Sequence, residues 1–224
     1  TVHAVALSYT MLIVANLMTT LGAGLGNLAT LVESGSEGAS AVSTLNVWVQ
    51  EGLMALMAAI GVGWLSRRGL RDAARRLGLA RPSWRQAVLA LLIGVAMAPA
   101  VLLVEHLGSS LGFGPGADVE RITEALLGPL FRTLPGILTI GLAAALGEET
   151  IFRGALQPRF GLILTTVLFA LTHATYGITL ATAAVLAVGL VLAVLRQRGN
   201  TTAAMITHAT YNITLGLIAY LNLL

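Results

Sequence analysis

Cysteine is absent from this 224-residue chain, and lysine is absent too, so all 13 basic residues are arginine. Without cysteine there is no disulfide, no thiolate metal ligand and no thiol nucleophile. Charge of either sign is scarce. Charged residues make up 10% of the chain, against roughly 25% in ordinary soluble domains. Serine stops at Ser110 and aspartate at Asp118, so the last hundred residues hold neither a serine nucleophile nor an aspartate pair. No His-Glu-x-x-His helix of the zinc-protease kind occurs.

Apolar residues, by contrast, make up 56% of the chain, and the mean hydropathy is +0.85. A soluble domain of this length needs a polar skin that this composition cannot supply. A soluble globular protein, a disordered chain and a secreted disulfide scaffold are therefore excluded. The expectation is an all-α, polytopic helical membrane protein of about seven spans at roughly 20 residues each. Its partner is the lipid bilayer.

Seven arginines (Arg67, Arg68, Arg71, Arg75, Arg76, Arg81 and Arg85) fall between two apolar runs. This clustering is the signature of a cytoplasmic loop and explains the high pI without any nucleic-acid partner. Arg71, Arg75 and Arg76 share a helical face, which fits a segment lying along the membrane surface.

Apolar runs extend over about Ala4–Val32, Leu45–Leu65, Ala87–His106, Leu134–Gln157, Leu162–Tyr176, Ile178–Leu195 and Thr201–Leu224. The first run lacks a charged n-region and a cleavage site, so it reads as a span rather than a signal peptide, and the start at Thr1 reads as a truncation. An acidic loop is expected at Glu33–Glu37. Pro158 is expected to end the fourth span. Residues 122–131 are ambiguous and would make an eighth span if they crossed. Gly22 and Gly26 read as packing surfaces. The organisation expected is one membrane domain, 1–224. Residues 1–121 would supply N-terminal spans with the Arg-rich loop 66–86, and 122–224 the catalytic helices.

If loop 66–86 is cytoplasmic, Arg153, Arg159, Arg196 and Arg198 fall on the same side. The protein is then integral to the membrane (the plasma membrane in a bacterium), with its site opening toward the cytoplasm.

An ionisable group inside lipid costs several kcal/mol, so the few within spans are informative. After Glu124 the only acidic residues are Glu148 and Glu149. Arg153 lies four residues beyond Glu149, on the same helical face. Glu148 is turned roughly 100° away and is left to face something else. His173 lies in the fifth span, one turn after Phe169. His208 and Asn212 share a face of the seventh. Counting about 1.5 Å per residue, these groups reach a common depth in an intramembrane polar cavity.

Plainer roles exist for each. A lone intramembrane His or Asn is often helix–helix glue. Glu149–Arg153 is a structural ion pair, and Phe169 alone is ordinary core. His3 and His106 sit at span edges with no assigned role. The tetrapeptide His-Ala-Thr-Tyr occurs at 173–176 and again at 208–211. Taken together, a buried Glu able to activate water, a His to share it and a His/Asn pair able to face an oxyanion are parts for amide hydrolysis. The same Glu/His set could hold zinc with an open position.

The ordered pattern Glu148-Glu149-x-x-x-Arg153, Phe169-x-x-x-His173, His208-x-x-x-Asn212 resembles the three motifs of the CPBP (ABI) family of intramembrane endopeptidases. That family includes CAAX proteases of the Rce1 type and bacteriocin-processing enzymes. The resemblance covers about residues 134–215. It implies that Glu148 activates water with His173 as partner, that His208 and Asn212 form the oxyanion hole, and that Glu149 and Arg153 hold the first motif in place. It also implies a membrane-associated peptide or protein substrate, lipidated or of CAAX type in some members. No metal is the favoured form, since Asn212 suits an oxyanion better than a soft metal. A zinc version would use Glu148, His173 and His208. The competing class is a non-catalytic immunity or binding membrane protein, or a small proton-coupled transporter.

Overall fold

The computed structural model describes residues 2–38, 44–114, 116–173, 177 and 179–223. Ala174–Tyr176, which complete the first His-Ala-Thr-Tyr copy, lie outside the described residues. Among the described residues every regular element is a helix.

Helices α1 (Val2–Ala23) and α2 (Leu25–Gly38) replace the single run expected at Ala4–Val32. They meet at Gly24, whose φ of +76° is open to glycine and strained for other residues, and Ser8–Ala23 and Leu25–Val32 enclose a bend of 99°. The stretch Glu33–Glu37, expected as a loop, continues α2. A Cβ on Gly22 would meet nothing within 4 Å, so Gly22 is not the packing surface expected of it.

Helix α3 (Thr44–Gly61) leads through the left-handed Gly63 to the arginine-rich segment. There α4 (Leu70–Arg76) buries Ala73 and leaves Arg71 and Arg75 exposed. The segment is docked rather than loose. Thr201 donates from Oγ1 to the Leu77 carbonyl at 2.6 Å and from its backbone N–H to Gly78 at 3.0 Å.

Helix α5 (Trp84–Ser110) starts on a capping box between Ser83 and Gln86, which satisfies two orphan N–H groups. Helix α6 (Ala117–Phe131) settles the ambiguous stretch 122–131. It is amphipathic, burying Val119, Ile122 and Leu130 while Glu120 and Glu124 face outward.

Helix α7 (Leu134–Glu148), a π-helix (Glu149–Leu156) and α8 (Gln157–Leu171) form one run of 38 residues. The break comes at Gly161, with φ 74° and ψ 176°, and not at Pro158. Pro158 sits inside the run without ending it, and Arg196 Nε donates to the upstream Arg153 carbonyl at 3.1 Å. Helices α9 (Leu180–Arg198) and α10 (Thr201–Tyr220) complete the bundle. Gly94 of α5 lets α10 approach so closely that a Cβ there would overlap the Thr207 carbonyl, and Thr207 Oγ1 donates to Ala90 O at 2.9 Å.

Among the described residues, three helices are long and apolar enough to cross a membrane: Trp84–Ser110, Leu134–Leu171 and Leu180–Arg198. The bent pair would be a fourth. Helices α3 and α10, expected as spans, fall below that standard because Gln50, Glu51, five threonines, His208 and Asn212 lower their hydropathy. Half of the Leu134–Leu171 window is buried, against 17% and 22% for the other two, so this run is the axis of the bundle. Helix α5 turns Leu89, Leu92 and Leu103 outward and α9 turns Leu186 and Leu190 outward, as lipid-facing helices do.

Candidate active site

The axis run changes from α to π geometry at Glu149, one residue into the first motif. All eight residues Glu149–Leu156 are buried. A π turn widens the helix and redirects side chains, and such turns recur at functional sites. Here it puts Glu148 and Glu149 to different uses.

Glu149 and Arg153 are both fully buried, with Arg153 Nε 3.2 Å from Glu149 Oε2. Arg153 also donates from Nη2 to Gly189 O at 3.0 Å, and its guanidinium lies 4.3 Å from the Phe169 ring centre. One turn on, Gln157 donates to Ala193 O at 2.9 Å. These bonds fasten the first motif to α9. Gly189 is needed for the approach, because a Cβ there would press on the Phe169 ring.

The second oxygen of Glu149 reaches the third motif. Oε1 lies 2.9 Å from His208 Nδ1. A carboxylate accepts, so Nδ1 carries the hydrogen, and Nε2 is turned toward Glu148, whose Oε2 lies 4.0 Å away. Glu149 thus does more than hold its own motif. It fixes the tautomer and orientation of His208, as second carboxylates do for functional histidines. With His208 as the imidazolium, Glu148, Glu149, Arg153 and His208 sum to zero charge, the arrangement a low-dielectric site tolerates best.

His173 is fixed from its own helix. Thr172 Oγ1 donates its hydrogen to Phe169 O at 2.6 Å. It can then only accept from His173 Nδ1, 3.1 Å away, and Phe169 O accepts from the same nitrogen at 3.2 Å. Nδ1 therefore bears the proton, and Nε2 is the basic nitrogen. Phe169 is not ordinary core. Its ring lies 5.2 Å from the His173 ring, 6.1 Å from His208 and 5.3 Å from Phe152, so it spaces the two histidines above the arginine.

A cavity of about 410 Å³ is lined by Glu148, His173, His208 and Asn212 together. Three helical segments distant in sequence thus bring the expected catalytic set to one space, and Phe169 lines it too. Glu148 Oε2 is buried and has no hydrogen-bond partner among the described residues. Among the described residues no three His, Cys, Asp or Glu side chains are grouped closely enough to hold a metal ion.

Glu51 was not anticipated. It is 5% exposed on α3, lines the same cavity, and its Oε2 has no hydrogen-bond partner among the described residues. Gly147, just before the first motif, makes room: a Cβ there would collide with the Glu51 carboxylate and backbone. Trp48 pins the same end of α3, donating to Thr139 Oγ1 at 3.3 Å. An acid within the run Leu45–Leu65 was a visible signal, by the same rule that picked out Glu148.

The cavity lies on one side of the site. Its lining comes from Val47–Glu51 of α3, from α6 between Ile122 and Phe131, Ile140–Glu148 of α7, Val185 and Val188 of α9 and His208–Leu215 of α10. In α3 and α9 these are the parts remote from the arginine-bearing ends at Arg67 and Arg198, whereas the α6 stretch is flanked by Arg121 and Arg132. The arginine-rich end and the cavity therefore occupy opposite sides of the Glu149–Arg153 layer. The expected opening on the arginine-rich side does not follow from this geometry.

Residues 130–214 match the family model described as Type II CAAX prenyl endopeptidase Rce1-like. No curated protein and no solved structure matches the chain.

Proposed function

We propose that this integral membrane protein is an intramembrane endopeptidase that hydrolyses a peptide bond by glutamate-activated water, a reading supported by the match of residues 130–214 to the Rce1-like peptidase model. The carrying observation is the buried Oε2 of Glu148, without a hydrogen-bond partner among the described residues, in one cavity with His173, His208 and Asn212.

Each residue's role follows from its fixed atoms. Water seated between Glu148 Oε2 and His173 Nε2 gives a proton to Glu148 as its oxygen attacks the carbonyl carbon. The carbonyl oxygen becomes an oxyanion and accepts hydrogen bonds from Nε2–H of the His208 imidazolium and from the Asn212 amide. Because Nδ1–H of His208 is committed to Glu149, only the imidazolium form leaves a hydrogen on Nε2 for this purpose. The C–N bond then breaks. The proton held by Glu148 passes to the leaving amine, directly or through His173, and acid and amine products balance the water consumed.

The substrate is a membrane-associated peptide or protein, of the lipidated or CAAX class in the family sense. By the positive-inside rule the arginine-rich end is cytoplasmic, and the cavity is then entered from the opposite leaflet or laterally from lipid. The direct test is cleavage by purified enzyme. Glu148→Gln and His173→Ala should each abolish it with helicity unchanged, and full activity in either variant would refute the assignment. Comparing membrane peptides with and without active enzyme would name the substrate.

A further inference from the structure

A second cavity of about 510 Å³ adjoins the first and shares lining side chains with it, among them Thr123, Leu127, Tyr211 and Leu215. The acidic residues of its otherwise largely apolar lining are Glu105, Glu120 and Glu124. Five of the ten acidic residues therefore line two joined cavities, and none of the 13 arginines lines either. This is the reverse of the chain's net charge of +3.

The deepest of these acids is the most telling. Glu149 is matched by Arg153, and Glu148 is faced by His208. Glu124 meets Arg132 on the outer side. Glu51 meets no cation among the described residues. Gln50 approaches its Oε1 at 3.4 Å, and Oε2 is buried and unpartnered. A carboxyl buried in a low-dielectric cavity, with a glycine notch that admits it, favours its ionised form when a positive group is brought beside it.

We propose that the two cavities take a substrate segment in which an arginine or lysine flanks an apolar stretch, with Glu51 receiving the cation and the Glu105/Glu120 side guiding it in. The inference rests on the peptidase reading for the cleavage step, but not for binding itself. An apolar stretch suits the leucine, valine and aromatic lining. A cation buried against a carboxylate in such a place is held far more strongly than in water.

The test measures binding separately from cleavage. Full-length His173→Ala protein in detergent keeps all five cavity carboxylates and is titrated with a fluorescent apolar peptide bearing one arginine. The same peptide with citrulline, isosteric and uncharged, is the comparison. The arginine peptide should bind at least about tenfold tighter. Adding Glu51→Gln should bring the two peptides within about twofold. Equal binding of both peptides, or a preference undiminished by Glu51→Gln and Glu105→Gln, would overturn the proposal. Should Glu51→Gln fail to fold, the two-peptide comparison and Glu105→Gln on the rim still decide it. Arginine-selective binding without cleavage by the parent enzyme would defeat the peptidase reading alone. Cleavage without arginine selectivity would defeat this proposal alone.

Discussion

His208 gives its Nδ1–H to Glu149 Oε1 at 2.9 Å, while the other oxygen of Glu149 faces Arg153 at 3.2 Å. One buried carboxylate thus ties the first motif to the third. Replacing Glu149 by Ala would leave a buried guanidinium and an imidazole without their counter-charge. The expected loss is about 3–5 kcal/mol of stability, read as a lowered Tm in detergent. Glu148→Gln should lower Tm far less, since Glu148 Oε2 has no hydrogen-bond partner among the described residues and faces His208 only at 4.0 Å. Adjacent glutamates would then separate into one structural and one chemical residue.

Asn212 distinguishes hydrolysis from proton relay. It lines the cavity one turn beyond His208, in place to donate to an oxyanion. Asn212→Ala should lower kcat by about 10²–10³ with little change in KM. A proton-coupled transporter would be indifferent to this change.

Gly147 tests the seat of Glu51. A Cβ there meets both the carboxylate and the backbone of Glu51, so Gly147→Ala must push α3 away from α7. The expected cost is about 1–3 kcal/mol, with activity falling further than stability because the cavity wall moves. Unchanged Tm and activity would show that the contact is dispensable.

Much of this is legible in the residues alone. The charge deficit marks a helical membrane chain, and the intramembrane-polar rule finds Glu148, Glu149, Arg153, His173, His208 and Asn212. What escapes is long-range. The Glu149–His208 bond joins residues 59 apart in sequence, and the π turn at Glu149 breaks the 3.6-residue period on which the facing of Glu148 is reckoned. Phe169 is an orienting residue only through the motif that holds it, because its ring contacts to Phe152, Arg153 and His208 come from other elements. Glu51 on α3 escapes as well, although its sequence signal matches that of Glu148. Chain breaks fall at Gly24 and Gly161, whose positive φ periodicity does not register.

Orientation is open to a clean measurement because the chain has no cysteine. Single cysteines placed at exposed Arg75 and exposed Glu120 mark the arginine-rich end and the cavity end. In intact cells an impermeant maleimide should label the Glu120→Cys protein and spare Arg75→Cys. Labelling of Arg75→Cys alone would reverse the topology.

A metal would be felt by chelation. The proposed steps use protein groups alone, so activity should persist after exhaustive dialysis against a strong zinc chelator. Loss restored by zinc would require Glu148, His173 and His208 to act as ligands instead.

The central claim is that Glu148 activates the water. It is tested most directly by the single-turnover cleavage rate of purified Glu148→Gln protein on a membrane peptide that the parent cuts. Glutamine keeps the shape and removes the base, so the rate should fall by at least about 10³-fold while peptide binding stays as in the parent. A rate within about tenfold of the parent would contradict the account.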